Sequence, residues 1–152
     1  MRIAIATDHR GFCLKSSIIK YLKKKGHKTI DYGADSEESV DYPDFALQVA
    51  ATVVKKRAKF GILICYTGQG MAMTANKVKG IRAAICTDPE TARLTRAHND
   101  ANILVMPAVK MKFSKKVQNI IEMFLCTKFE GGRHRRRLKI IERYENRNLR
   151  IQ

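Results

Sequence analysis

FGILICYTGQG, residues Phe60 to Gly70, joins an almost unbroken apolar run to a loop punctuated by Gly68 and Gly70. An apolar run without polar alternation is the pattern of a strand covered on both faces, which belongs to a parallel sheet between helical layers. The same rhythm continues outward. Arg2–Ala6, Lys28–Tyr32, Ile81–Cys86 and Asn102–Met106 read as further strands. Leu14, Ile18, Tyr21 and Leu22 mark one face of a helix ending near Gly26, and Pro43 opens a helix carrying Phe45, Val49 and Val53. Asp88–Pro89 and Ser114 supply helix starts, the latter ahead of Val117, Ile121 and Phe124. A last helix follows Gly131–Gly132, roughly His134 to Arg147. Five strands separated by helices predict one α/β domain over residues 1–152, a five-stranded parallel sheet in three α/β/α layers with a C-terminal helix. Ligands of such sheets bind beyond the carboxyl ends of the strands.

Composition narrows the class. With 152 residues and 45% hydrophobic content, one ordinary core can be buried. No apolar run is long enough to span a membrane, and the apolar stretch of MRIAIATDHRGF is too short for a signal peptide's core, so a cytoplasmic protein is expected. Cys13, Cys65, Cys86 and Cys126 lie far apart with no C-x-x-C pair, which points to neither a disulfide framework nor a zinc site. Against 14 acidic residues stand 30 Lys and Arg, a net charge of +16. These are spread along the chain, aromatics are few and Trp is absent, so solvated helix faces are a better reading than a nucleic-acid surface.

The polar residues at element ends carry the chemistry. The first strand runs into Thr7–Asp8–His9–Arg10–Gly11, the third into Cys65–Tyr66–Thr67–Gly68–Gln69–Gly70, and the helix after the fourth ends at His98–Asn99–Asp100. All three are expected to gather at the ligand end of the sheet. Cys65 stands before a glycine loop and a helix, where a thiolate would have a lowered pKa and serve as base or nucleophile. Cys13, Cys86 and Cys126 fit small core hydrophobes. Gly68 and Gly70 let backbone amides approach a phosphate or a developing oxyanion. A dinucleotide fingerprint fails, because Met73 stands where the third glycine belongs and the loop follows the third strand. His98 fits an acid–base group and equally a helix-end histidine facing water. Asp8 and His9 could be turn residues. Arg133 and Arg137, four apart, suit bidentate capture of a phosphate and equally a solvated basic helix end.

Taken together, TDHRGF, DYPDFA (Asp41–Ala46), ILICYTGQG, ANK (Ala75–Lys77), GIRAA (Gly80–Ala84), HNDAN (His98–Asn102) and GGRHRRR (Gly131–Arg137) resemble the type B ribose-5-phosphate isomerase family, which includes the galactose-6-phosphate isomerase subunits. The resemblance implies a Rossmann-like sheet and a homodimer or tetramer of dimers, with the C-terminal helix at the dimer interface. It implies aldose–ketose isomerisation of ribose 5-phosphate through a cis-enediolate, without cofactor or metal. By resemblance Cys65 is the base, and amides from Tyr66 to Gly70, with Gln69 among them, stabilise the enediolate oxygen. Thr67 bonds or relays a proton at the oxygens, and His98 opens the sugar ring with help from Asp8. His9, Arg133 and Arg137 hold the phosphate and Asn99 a hydroxyl, with residues drawn from two subunits.

Three departures stand out. Tyr66 replaces the family's usual glycine, Val109–Lys110 fall where many members carry a phosphate-contacting arginine, and Met71 occupies the place of one branch's glutamate base. The last favours Cys65 as base. A six-carbon sugar phosphate, galactose or allose 6-phosphate, is the nearest alternative substrate. A basic nucleic-acid binder on the same fold and a non-catalytic subunit rank below it.

Overall fold

The computed structural model describes residues 1–148. In chain order it runs β1 (Arg2–Thr7), α1 (Phe12–Lys24), β2 (Lys28–Asp31), α2 (Tyr42–Val54), β3 (Phe60–Cys65), α3 (Gln69–Ala75), β4 (Ala83–Ile85), α4 (Pro89–Asn99), β5 (Ile103–Pro107), α5 (Lys115–Cys126) and α6 (Gly132–Asn148). Two 3-10 turns, His9–Gly11 and Ala108–Lys110, follow β1 and β5. The sheet is five-stranded, in the order β2-β1-β3-β5-β4, and every pairing is parallel. β3 lies at its centre, which is why all six of its residues are buried.

Alternate residues of the strands feed two cores. Ile3, Ile5, Ile62, Ile64 and Leu104 face α1 and α5 through Ile18, Leu22, Ile121 and Phe124. Ala4, Ala6, Leu63, Cys65 and Val105 face α2 and α3 through Val49, Ala50, Met71 and Ala75. The three-layer arrangement follows from this period of two.

Helix ends obey local chemistry. The Asp88 carboxylate accepts from the Thr91 amide at 2.8 Å and the Ser114 hydroxyl from the Val117 amide at 3.5 Å, both as predicted. Four strands differ from expectation at an end: β1 runs one residue further, to Thr7, β2 stops one residue earlier, at Asp31, and β4 and β5 shift as well. β4 is cut to three residues because the Asn102 and Asn76 side chains accept from the Arg82 and Ala83 amides, replacing ladder bonds at its start. β5 begins one residue later than predicted and extends to Pro107. Cys13 and Cys126 also depart from expectation: both are exposed on helix surfaces, and only Cys86 and Cys65 are buried.

Candidate active site

At the carboxyl end of the sheet, β1 and β3 deliver Asp8 and Cys65 side by side. The buried Asp8 carboxylate accepts from the Arg10 amide at 2.9 Å with Oδ1 and from the Tyr66 amide at 3.3 Å with Oδ2. It therefore ties the first strand's turn to the loop after Cys65. The Val109 amide closes the other side, donating to the Tyr66 carbonyl at 2.9 Å and bringing the turn that contains Lys110 alongside. His9 Nδ1 accepts from the Val40 amide at 3.4 Å, which leaves Nε2 carrying the ring's proton as a donor.

The loop needs its glycines. Gly68 adopts φ +82°, the left-handed region in which a side chain is strained, and so turns the chain from β3 into α3. A Cβ on Gly70 would meet the Tyr42 ring at 2.5 Å, so that phenol lies directly over the loop. Thr67 is exposed, and its hydroxyl accepts from the Gln69 amide at 3.4 Å. Tyr66 is 52% exposed, with the Arg10 guanidinium 5.9 Å from its ring centre.

The thiol departs from expectation in its titration. Burial pushes the Cys65 pKa above the ordinary 9.0, and the nearby Asp8 carboxylate pushes the same way. Amides of Met71, Gly68 and Thr67 are turned toward the sulfur and pull in the opposite direction, but burial outweighs them. The amides expected at an oxyanion are thus divided: Tyr66 serves Asp8, Gln69 serves Thr67, and Thr67 and Gly68 serve the sulfur.

The second departure concerns His98 and Asn99, which are not at this end of the sheet. α4 leaves the carboxyl end of β4 and runs back antiparallel to the strands, so its last turn lies at their amino ends. Arg82, immediately before β4, fixes it there: its guanidinium donates to the Asn99 and Asp100 carbonyls at 3.0 and 2.9 Å. The β3–β5 register pairs Gly61 with Ile103 and Cys65 with Pro107. Four residues of strand, about 13 Å along the sheet, therefore separate the two groups within one chain.

A second cluster surrounds His98. The chain leaving α5 docks on α4 through the Glu130 amide, which donates to the Ala97 carbonyl at 3.0 Å. α6 then begins, and His134 in its first turn stacks on His98 with ring centres 4.2 Å apart and planes 4° from parallel. One Glu130 carboxylate oxygen lies 3.6 Å from His98 Nε2 and 3.8 Å from His134 Nε2. His134 is buried, and burial lowers its pKa, aided by His98, Arg133 and Arg137. Arg133 and Arg137 are exposed on either side of it. The donor atoms of His98, Glu130 and His134 lie within 4.8 Å of one another. An imidazole holds a metal in its ring plane, and two parallel stacked rings share no such point, so the geometry suits proton sharing rather than coordination.

Sequence reading passed over Tyr42, Glu130 and His134. The spacing of His134 with the buried Leu138 was the available signal, since a residue four before a core leucine faces inward.

Elsewhere, a cavity of about 780 Å³ at the amino ends of the strands is lined by Arg2, Lys28, Lys56, Arg57 and Lys59, and its walls carry no carboxylate, imidazole or thiol. Among the described residues no helix is long and apolar enough to cross a membrane.

Comparison with known proteins bears on family and fold. Residues 3–141 match the family model described as Ribose/Galactose Isomerase. Ribose-5-phosphate isomerase B of Escherichia coli strain K12 is 42% identical over 148 residues, covering 96% of this chain and 97% of that one. The Clostridium thermocellum ribose-5-phosphate isomerase B structure superposes with a TM-score of 0.94 at 44% identity, over 97% of this chain and 99% of that one. The Mycoplasma genitalium ribose-5-phosphate isomerase B structure, which has ribulose-5-phosphate bound, gives 0.90 at 44% identity, over 95% and 96%. With a buried thiol at the exit of the central strand and a family match along nearly its whole length, this chain belongs to the ribose/galactose isomerase family.

Proposed function

We propose that the chain interconverts ribose 5-phosphate and ribulose 5-phosphate, with Cys65 as the base that moves the proton between C1 and C2 of the sugar. The observation that carries this reading is the Cys65 thiol, buried at the end of β3 with three backbone amides turned toward it, in a chain of this family. The ribulose-5-phosphate held by the Mycoplasma genitalium relative supports the choice of substrate. The Tyr42 ring against Gly70 narrows the loop, which also favours a five-carbon over a six-carbon sugar. The thiol must lose its proton before it can take one from carbon, and amides around the loop lower the cost of the enediolate's charge. Asp8 keeps free lone pairs for a sugar hydroxyl. A cytoplasmic setting suits a free catalytic thiol.

The working unit on this reading is a homodimer, because His98 and Cys65 of one chain stand at opposite ends of its sheet. A two-fold axis across the strand direction reverses each chain against its partner. His98, Asn99, Arg133 and Arg137 of the partner subunit then meet Cys65, Asp8 and His9 of the first, twice over. The surface beside edge strand β4 is suited to such packing. Met73 on α3 and Ile140, Ile141 and Tyr144 on α6 are all more than half exposed, and Ile141 with Ile81, Ala83 and Leu138 lines an open groove of about 460 Å³. The phosphate would sit between His9 Nε2, Lys110 and the partner's arginines.

Subunit mixing tests this directly. Cys65→Ala and His98→Asn proteins are each expected to be inactive on ribose 5-phosphate. After denaturation and joint refolding, about one quarter of native activity should return, since half the dimers carry one intact site of two. Activity in Cys65→Ala alone would overturn the base assignment, and no recovery on mixing would overturn the shared site.

A further inference from the structure

His98, as the ring-opening group of the reading above, must take the hydroxyl proton at C1 and return one to the ring oxygen as that C–O bond breaks and C1 becomes the aldehyde. A neutral imidazole can serve both ends only if its proton sits on a defined nitrogen and its ring is held still. The surroundings of His98 meet both requirements through two residues outside the sugar-binding set. Glu130 presents one carboxylate oxygen to His98 Nε2 at 3.6 Å, and its own backbone is fixed to the preceding residue through the Glu130–Ala97 bond. His134 covers the ring face as a near-parallel stack at 4.2 Å. Two imidazolium rings would repel at that distance, so the buried His134 serves as the neutral member.

We propose that Glu130 and His134 are positioning residues for His98, the carboxylate keeping a proton on Nε2 and leaving Nδ1 as the nitrogen that exchanges protons with the sugar. Carboxylate–imidazole pairs of this kind fix tautomer and ring orientation wherever histidine works as a base. The stack adds a mechanical constraint. His134 enters from the first turn of α6 and Glu130 from the connection before it, so one short segment, Glu130–His134, sets the ring from two sides. Neither residue touches Cys65, so enolisation at the sulfur proceeds independently of them.

That separation makes the test, which rests on the isomerase reading. Ribulose 5-phosphate has no ring form, because its C5 oxygen is phosphorylated and its carbonyl is at C2. Uptake of solvent deuterium at its C1 therefore reports enolisation alone, whereas turnover of ribose 5-phosphate also requires ring opening. Glu130→Gln should lower turnover of ribose 5-phosphate roughly tenfold or more while deuterium uptake stays within about twofold of native. His134→Leu should do the same, and Glu130→Asp should restore part of the loss. Nitrogen NMR of the native protein should show His98 protonated at Nε2, with that preference weakened in Glu130→Gln. Thermal melting checks that each variant is folded. Native turnover in Glu130→Gln, or an equal fall in turnover and deuterium uptake, would overturn the proposal. Cys65→Ala run in parallel should lose both signals; its retention of deuterium uptake would overturn the base assignment instead.

Discussion

At the scale of single residues, Cys65 is the group whose environment has most to say. The position read from sequence, a cysteine ahead of a helix, suggests a thiolate made easy by the helix terminus. In the structure α3 is only seven residues long and the sulfur is buried, so desolvation outweighs the amides and the free protein keeps a thiol at neutral pH. Below its pKa the thiolate fraction rises tenfold per pH unit. Turnover relative to KM should accordingly climb through neutrality and continue climbing to at least pH 9.0, the ordinary value above which burial moves this group. A plateau reached below pH 7 would contradict a buried thiol base. Cys86, pushed up to about 12 by burial, bears on stability instead. The unfolded chain loses that proton near pH 9 and the folded chain retains it, so the fold weakens as pH rises between these values. Urea midpoints should fall across that window less steeply in Cys86→Ala than in the native chain.

At the scale of elements, the alternation of strands and helices was legible because apolar runs such as FGILIC cannot be hidden any other way. The direction of α4 was harder to use. Its histidine looked like a partner for Cys65 because both end an element, yet a helix that returns antiparallel to its strand ends at the opposite side of the sheet. Tyr42 enters the sequence only within DYPDFA, ahead of the helix that Pro43 opens, and only the position of Gly70 shows what it covers. Lys15 gives a similar lesson. On a surface-type helix it reads as solvated, but it is buried and its ammonium lies 2.8 Å from the Asp31 carboxylate of β2, with Asp35 at 3.5 Å. No periodicity distinguishes a buried lysine with a partner from an exposed one. Removing the partner should show the difference. Asp31→Ala leaves a buried cation poorly compensated and is expected to cost ~3 kcal/mol in urea unfolding. Lys15→Met, which removes the charge and keeps the stem's packing, should cost clearly less; equal losses would mean that the pair holds α1 to β2 only by packing.

For the whole molecule, the net charge of +16 bears on the proposed pairing of two chains. Five of its cations, Arg2, Lys28, Lys56, Arg57 and Lys59, wall the basic cavity at the amino ends of the strands. Long-range repulsion between two such chains remains, and it is screened within about 8 Å at physiological ionic strength. Added salt should therefore tighten the dimer, the reverse of its effect on adventitious contacts with nucleic acid. Sedimentation of the native chain and of Ile140→Glu at several salt concentrations would check both points, with the variant expected to dissociate at every one.

The return path of α4 has one more consequence, and it is kinetic. On the proposed shared site, a polypeptide whose own proton-transfer groups are held a sheet's length apart should be idle when solitary, however well it is folded. Below the concentration at which pairs persist, output should follow the square of the protein concentration rather than the first power, so newly made chains would remain silent until they find one another.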